Sequence, residues 1–279
     1  MRFARVGNPG AEQPVLVHGE SYYSLAPVTD DINADFWTSD GPGRAAQALE
    51  AGSLEAIDVQ GLRLGAPITR PSSVICVGMN YAAHAAESGS APPTEPIIFH
   101  KAPNTVVGPN DPVAIPRGSS KTDWEVELGV VIGKHASYLE SSDDAVDHIG
   151  GLVTVNDLSE REFQLEISGG QWSKGKSCAG FCPTGPFLLT PDEVDPQNLL
   201  LRSWVNGELR QDSSTSDLIF DVATIVHSLS QYMVLEPGDL ICTGTPEGVA
   251  LSGRFPYLKA GDVVETEVEG LGRQRQRFL

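Results

Sequence analysis

Twenty-nine glycines and twenty prolines are scattered along this chain of 279 residues rather than gathered in one stretch. Proline removes a backbone donor and glycine favours turns, so breaks this frequent mark many turns between short strands, not a disordered linker. No repeat recurs at a fixed period. Val74-Ile75-Cys76-Val77 reads as a short buried strand, and Trp124 to Ile132 and Leu152 to Leu158 read as two more. Leu240 to Thr243 follows a Pro237-Gly238-Asp239 turn as another strand. Asp262 to Glu269 alternates valines with Glu265, Glu267 and Glu269, the pattern of a half-exposed strand. Helices are few. Arg44 to Ala51 and the Ala-rich Tyr81 to Ser88 are short, and Ile219 to Met233 places apolar residues at 219, 222, 226, 229 and 233, one helix face. The fold class expected is α+β and β-rich. The first residues form a smaller strand-rich unit, with strands near 2–6 and 14–18 and a loop with a Pro-Gly turn from Asp30 to Gly43. Pro67 and Pro71 bracket the entry to a denser segment, so the expected division is 1–68 and 69–279.

A chain of this length buries roughly three-quarters of its unfolded surface and needs no metal or disulfide staple. Its 37 acidic residues against 19 basic give a net charge of −18, with no compensating basic block. Such a charge repels phosphate backbones and argues against nucleic-acid and anionic-membrane partners. Apolar runs fall far short of the ~18 residues of a membrane span, and the start Met1-Arg2-Phe3-Ala4-Arg5-Val6-Gly7 lacks a secretory apolar region, so a cytoplasmic location is expected. Cys76, Cys178, Cys182 and Cys242 lack zinc-like spacing and read as reduced, mostly buried thiols.

Carboxylates carry the chemistry. In Asp123-Trp124-Glu125-Val126-Glu127-Leu128-Gly129-Val130, a side-chain period of two puts Trp124, Val126, Leu128 and Val130 on one face and Asp123, Glu125 and Glu127 on the other. A hard divalent cation can bridge two such carboxylates; a solvated strand face is the alternative. Asp157 ends the apolar stripe of Val153 and Val155, where an unpaired carboxylate is costly, although an Asp at a strand end also serves as a turn former. Glu125, Glu127 and Asp157 together make an oxygen-only set suited to Mg²⁺ or Mn²⁺ rather than zinc. His84 and Glu87 are three apart on a helix, the spacing of an oriented general base and equally of an ordinary surface pair. Gln171-Trp172-Ser173-Lys174-Gly175-Lys176-Ser177 offers a pocket ammonium but lacks phosphate-loop spacing. Arg161 and Gln164 add donors for a carboxylate, and Thr243-Gly244-Thr245-Pro246 is a hydroxyl-lined turn.

In combination these strings resemble the fumarylacetoacetate hydrolase family over most of residues 70–279. The matching motifs are Gly78-Met79-Asn80-Tyr81 with His84 and Glu87, the Asp123–Gly129 strand, Val155-Asn156-Asp157 with Arg161 and Gln164, and Gln171-Trp172 with Gly175-Lys176-Ser177. Val205-Asn206-Gly207-Glu208, Pro237-Gly238-Asp239 and Thr243-Gly244-Thr245-Pro246 complete them in order. The resemblance implies a mixed β-roll, a smaller N-terminal region and a homodimer. It implies Mg²⁺, with Mn²⁺ or Ca²⁺ as substitutes, on Glu125, Glu127 and Asp157, a water-activating pair in His84 and Glu87, and a pocket lysine in Lys176. Tyr81, Lys101, Arg161, Gln164 and Thr245 are the expected substrate-binding residues. The activity implied is metal-dependent hydrolysis of a C–C bond in acylpyruvate-like β-diketo acids. Decarboxylation or isomerisation of small keto acids, or an idle binding protein, are the alternatives. Two departures bear on substrate: Ala179 and Gly180 replace an Asp-Thr pair after the lysine, and Met79 stands where many members carry Leu or Arg.

Overall fold

The structure, a computed structural model, describes every residue except 88 and 90. Its centre is an 11-stranded mixed sheet. From one edge run Ala56–Ile57, Ser21–Ser24, Gln13–His18 and Arg2–Val6, then Cys182–Leu189, Ile149–Asn156 and Val126–Ile132. Leu240–Cys242, Val74–Gly78 and Ile97–Lys101 finish the other edge, and Val106–Val107 pairs in parallel with Cys182–Leu189. A second, four-stranded sheet orders Glu208–Ser214, Leu200–Val205, Val263–Val268 and Gly272–Arg277. The β-rich α+β expectation holds. The N-terminal strands join the main sheet, because Arg2 and Phe3 pair with Leu189 and Leu188.

Val126–Ile132 lies near the middle of the main sheet and is buried at every position. Val126, Leu128, Val130 and Ile132 pack with Val222, Val226 and Leu229 of the Val222–Ser230 helix. Val131 and the neighbouring Val153 and Val155 pack on the opposite face with Phe36 and Trp37 of the Ala34–Thr38 helix. Removing a core leucine such as Leu229 would cost about 2–5 kcal/mol. The helix expected from Ile219 to Met233 is shorter at both ends, since Asp221 caps it by accepting the Thr224 N–H at 2.7 Å. Where a Pro-Gly turn was expected, Gly41–Glu50 is a helix, with Pro42 in its first turn where a missing N–H costs nothing. The helix expected over 81–88 spans Ala82–Glu87, and Ser88 lies outside the described residues. Val263–Val268 alternates as expected, with Val264, Thr266 and Val268 inward. The four cysteines are free, and Cys76, Cys182 and Cys242 are buried together in the core. Among the described residues no helix is long and apolar enough to cross a membrane.

Candidate active site

The expected run of carboxylates on one strand face is interrupted. Thr122–Asp123 pairs with Ser159–Glu160 in a separate two-stranded ladder, and the long strand begins only at Val126. Across this break Asp123 falls outside the group that Glu125 and Glu127 form, which corrects the shared-face expectation. Asp123 instead accepts hydrogen bonds from the N–H groups of Trp124, Ala250 and Leu251 and from Arg161. Glu125 and Glu127 converge with Asp157 from the adjacent strand end. The Asp157 N–H donates to the Glu125 carbonyl at 2.9 Å, and Asn156 Oδ1 accepts the Glu125 N–H at 3.1 Å. The three buried side chains each bring an oxygen within 4.8 Å of the others.

Three buried cations hold these carboxylates. Lys176 Nζ sits 2.6 Å from Glu125 Oε2 and 2.7 Å from Asp157 Oδ2. Lys101 Nζ donates to Asp157 Oδ1 at 2.5 Å and to the Leu158 carbonyl at 3.0 Å. Arg161 places Nη2 2.7 Å from Glu125 Oε1 and donates through Nε to Asp123 and through Nη1 to Gln164. Burial alone would raise Glu125, but Lys176 and Arg161 outweigh it and hold the carboxyl down at about 2. Burial would lower Lys176; Asp157 and Glu125 raise it instead. Glu127 has the opposite fate. It accepts the Gly244 N–H at 2.8 Å, and burial, reinforced by Asp157 and Glu125, pushes its carboxyl well above the usual range. With Asp123 counted, four carboxylates face three cations, and Glu127 is the carboxylate left without a basic partner. An anionic, oxygen-only, buried donor set short of positive charge fits a hard divalent cation.

Two glycines make the assembly sterically feasible. Gly244 has φ +103°, and a Cβ there would lie 2.9 Å from Asn80 Cβ, so only glycine lets this turn deliver its N–H to Glu127. At Gly175 a Cβ would meet the Glu160 carbonyl oxygen at 2.4 Å, so glycine lets the Ser173–Lys176 turn press Lys176 inward. Asn80 fastens the opposite wall, donating to the Thr243 and Phe220 carbonyls at 2.8 and 3.0 Å.

A cavity of about 300 Å³ opens over the cluster, and Glu125, Glu127, Arg161, Gln164, Lys176 and Thr245 reach its wall. His84 lines it too and separates it from a second cavity of about 360 Å³ that includes Glu87. Among the described residues His84 Nδ1 is buried without a hydrogen-bond partner, and it lies 3.7 Å from Glu87 Oε2. Glu87 is meanwhile held by the Gly248 N–H at 3.2 Å and Arg254 Nη1 at 3.0 Å. Tyr81 and Lys101 are not brought to either wall. Tyr81 is buried in the core with Val126 and Leu128, and Lys101 stands behind Asp157. Thr245 Oγ1 donates to the Val126 carbonyl and accepts from Gln211 Nε2, so its proton is already committed.

Apart from the departure at Met79, sequence reasoning assigned no role to the apolar walls. Phe99 and Trp172 meet edge to face at 5.6 Å, the Lys176 ammonium lies 5.0 Å from the Phe99 ring centre, and Leu251 and Met79 line both cavities. Met79 has φ +57°, an uncommon conformation for a side-chain-bearing residue and a signal the sequence does not carry.

Residues 73–279 match the family described as fumarylacetoacetate (FAA) hydrolase C-terminal. The chain is 43% identical over 282 residues, covering 99% of it and 95% of the relative, to a 2,4-didehydro-3-deoxy-L-rhamnonate hydrolase of Sphingomonas sp. (strain SKA58). A 5-carboxymethyl-2-hydroxymuconate delta-isomerase from Mycobacterium smegmatis superposes with a TM-score of 0.79 at 34% identity, covering 100% of this chain and 98% of the other. Maleylpyruvate hydrolase from Sphingobium sp. SYK-6, solved with manganese (II) and pyruvate, superposes at 0.82 with 27% identity, covering 100% and 99%.

Proposed function

Because the chain belongs to the fumarylacetoacetate hydrolase family, we propose that it hydrolyses a C–C bond in an acylpyruvate-like β-diketo acid. The observation that carries this is a single cavity lined by Glu125 and Glu127 of a buried oxygen-only triad, by Lys176 and Arg161, and by His84. Glu125, Glu127 and Asp157 would hold Mg²⁺, or Mn²⁺ or Ca²⁺ in its place. The bound cation supplies Lewis-acid polarisation of the keto-acid oxygens. With all four carboxylates ionised, as cation binding requires, it also leaves the cluster with a positive excess, which offsets the repulsion between a −18 protein and an anionic substrate.

His84 takes a proton from water as its oxygen adds to the acyl carbonyl, and Glu87 supports the imidazolium. The bond between the acyl carbon and the methylene breaks, its electron pair passing into pyruvate enolate. The proton held on His84 goes to the methylene carbon, leaving a carboxylic acid and pyruvate. Lys176 and the Gln164 amide stabilise the enolate oxygen, at about 3–4 kcal/mol per well-placed donor. Thr245 serves as an acceptor, since its proton is spent on Val126.

The second cavity receives the acyl tail. Its walls are Met79, His84, Val249, Leu251 and Ser252 with the Glu87 carboxylate among them, so it disfavours a second carboxylate. A neutral, hydroxylated tail fits, as in the 2,4-dioxo acid named for the Sphingomonas relative. A homodimer, on the family resemblance, completes the reading.

The test is turnover of acetylpyruvate and oxaloacetate, separately, with Mg²⁺ or Mn²⁺ and with chelator. Acetate plus pyruvate from the first, lost with chelator, is the expected result. Pyruvate from oxaloacetate alone would replace hydrolysis by decarboxylation. An isomerase, the activity named for the Mycobacterium smegmatis structure, would change the substrate's absorbance without releasing pyruvate.

A further inference from the structure

We propose that Asp123 is a positioning residue that sets the hydrogen-bond polarity of the cavity wall through Arg161 and Gln164. Asp123 is fully buried. Its Oδ1 accepts the Trp124 N–H at 2.9 Å and the Ala250 N–H at 2.8 Å; its Oδ2 accepts the Leu251 N–H at 2.9 Å and Arg161 Nε at 2.8 Å. A carboxylate has about four acceptor sites, and here each has a donor. Asp123 is therefore spent as a ligand for a cation, and its work is done through what it holds.

What it holds is the guanidinium plane. Arg161 divides its three nitrogens among three partners: Nε to Asp123, Nη1 to Gln164 Oε1 at 2.9 Å, and Nη2 beside Glu125 Oε1 at 2.7 Å. With Nε anchored, the two N–H directions of Nη1 are fixed, and Gln164 must present its oxygen on the one that meets it. A flipped amide would set NH₂ against a guanidinium N–H. The Gln164 NH₂ group is thus the face left for the cavity that Gln164 lines. Asp123 also fastens Leu251, which lines both cavities. One buried carboxylate therefore joins a metal-side carboxylate, the oxyanion donor and the wall of the tail cavity.

This rests on the proposed enolate-forming reaction, so the test includes readouts that do not require turnover. Asp123→Asn keeps the shape but removes at least one acceptor and turns a donor toward the anchored N–H groups. In metal-free protein, the Arg161 Nε–H resonance should lose its protection from solvent exchange in D123N and keep it in Q164A. In Mn²⁺-loaded protein, oxalate, a pyruvate-enolate mimic, should bind about tenfold more weakly to either variant, while the Mn²⁺ Kd moves less than about threefold. The double variant D123N/Q164A should bind oxalate within about threefold of the weaker single variant, because both act on one donor. With a turned-over substrate, kcat should fall and KM stay within about threefold.

Independent, multiplicative losses in the cycle, or an Arg161 Nε–H that stays protected in D123N, would overturn the proposal. If D123N does not fold, Arg161→Lys combined with Q164A runs the same cycle with the carboxylate in place, and multiplicative losses there would overturn it equally. Failure of wild-type protein to release pyruvate from any diketo acid, with the exchange and oxalate results as expected, would sink the hydrolytic reading and leave this one standing.

Discussion

The two walls of the cavity are built to different standards. On the carboxylate wall, Glu125 and Asp157 enter beside strands in the middle of the main sheet, Lys101 from its edge strand, Lys176 from the Ser173–Lys176 turn and Arg161 from just after Ser159–Glu160, and all five are ion-paired and almost fully buried. On the facing wall, His84 and Glu87 ride on a six-residue helix, the imidazole lacks a hydrogen bond at Nδ1, and Glu87 is shared with Gly248 and Arg254. The difference tracks what each wall must do. Charges that stabilise a developing anion act best when they need no reorientation, which buried, ion-paired groups provide. A base must gain and lose a proton, and a group with an uncommitted nitrogen can do that without breaking a bond.

Breaking the rigid wall should cost most. Glu125→Gln removes a ligand charge and leaves Lys176 and Arg161 short of a partner, so cation affinity and kcat should both collapse. Lewis-acid stabilisation is worth several kcal/mol, or about 10³-fold in rate. Calorimetric Mg²⁺ titration and steady-state kinetics would measure it. Full activity with unchanged cation affinity would overturn the metal assignment. His84→Ala should lose about 10²-fold in kcat, the lower end of what a general base contributes, while leaving Mg²⁺ affinity intact. A loss of cation binding in that variant would erase the division between the walls. Glu87→Gln should cost less than His84→Ala, because at 3.7 Å the carboxylate supports the ring without a hydrogen bond.

The rigid wall was legible and the other was less so, for physical reasons. Period-two spacing places Glu125 and Glu127 together, and the cost of an unpaired carboxylate beside Val153 and Val155 points to Asp157. That same rule misplaced Asp123, because it assumes an unbroken strand and carries no information about the break before Val126. Phe99, Trp172 and Leu251 went unassigned, since an apolar residue at a cavity wall has the same local pattern as one in the core. Tyr81 shows the converse: it sits inside a motif string yet is buried behind the wall. Gln211 is a long-range case. From the second sheet it donates to Thr245 and the Pro246 carbonyl and accepts the Val126 N–H, locking Thr245 as an acceptor. No local spacing links residue 211 to residue 245.

A smaller effect sharpens the comparison thermodynamically. Mg²⁺ at a hundredfold excess over its Kd should stabilise the protein by about 2.7 kcal/mol, and Asp157→Asn should abolish that shift while His84→Ala keeps it. Thermal or chemical denaturation with and without chelator would read it. Equal shifts in both variants would place the cation elsewhere.

The pH dependence of that stabilisation follows from Glu127. Burial, with Asp157 and Glu125 beside it, raises this carboxyl above its ordinary value, so the folded metal-free chain binds a proton that the unfolded chain has released. Stability from this group is fully present below the unfolded value of 4.5 and is lost as pH rises through the raised folded value. Glu125 runs the other way: held at about 2, its contribution is present above 4.5 and fades only as pH falls toward 2. Above about pH 5 Glu125 is therefore constant, and metal-free protein should lose stability on the Glu127 account alone, at up to about 1.4 kcal/mol per pH unit, until the pH passes the raised folded value. Cation binding demands the ionised carboxylate and supplies the missing positive charge, so Mg²⁺ stabilisation should grow over the same interval and binding should release a proton. Denaturant melts across that range, with Glu127→Gln as the control, decide the point. A wild-type slope equal to the control's would mean that Glu127 is already ionised in the empty cluster, and that the carboxylate wall is not short of positive charge.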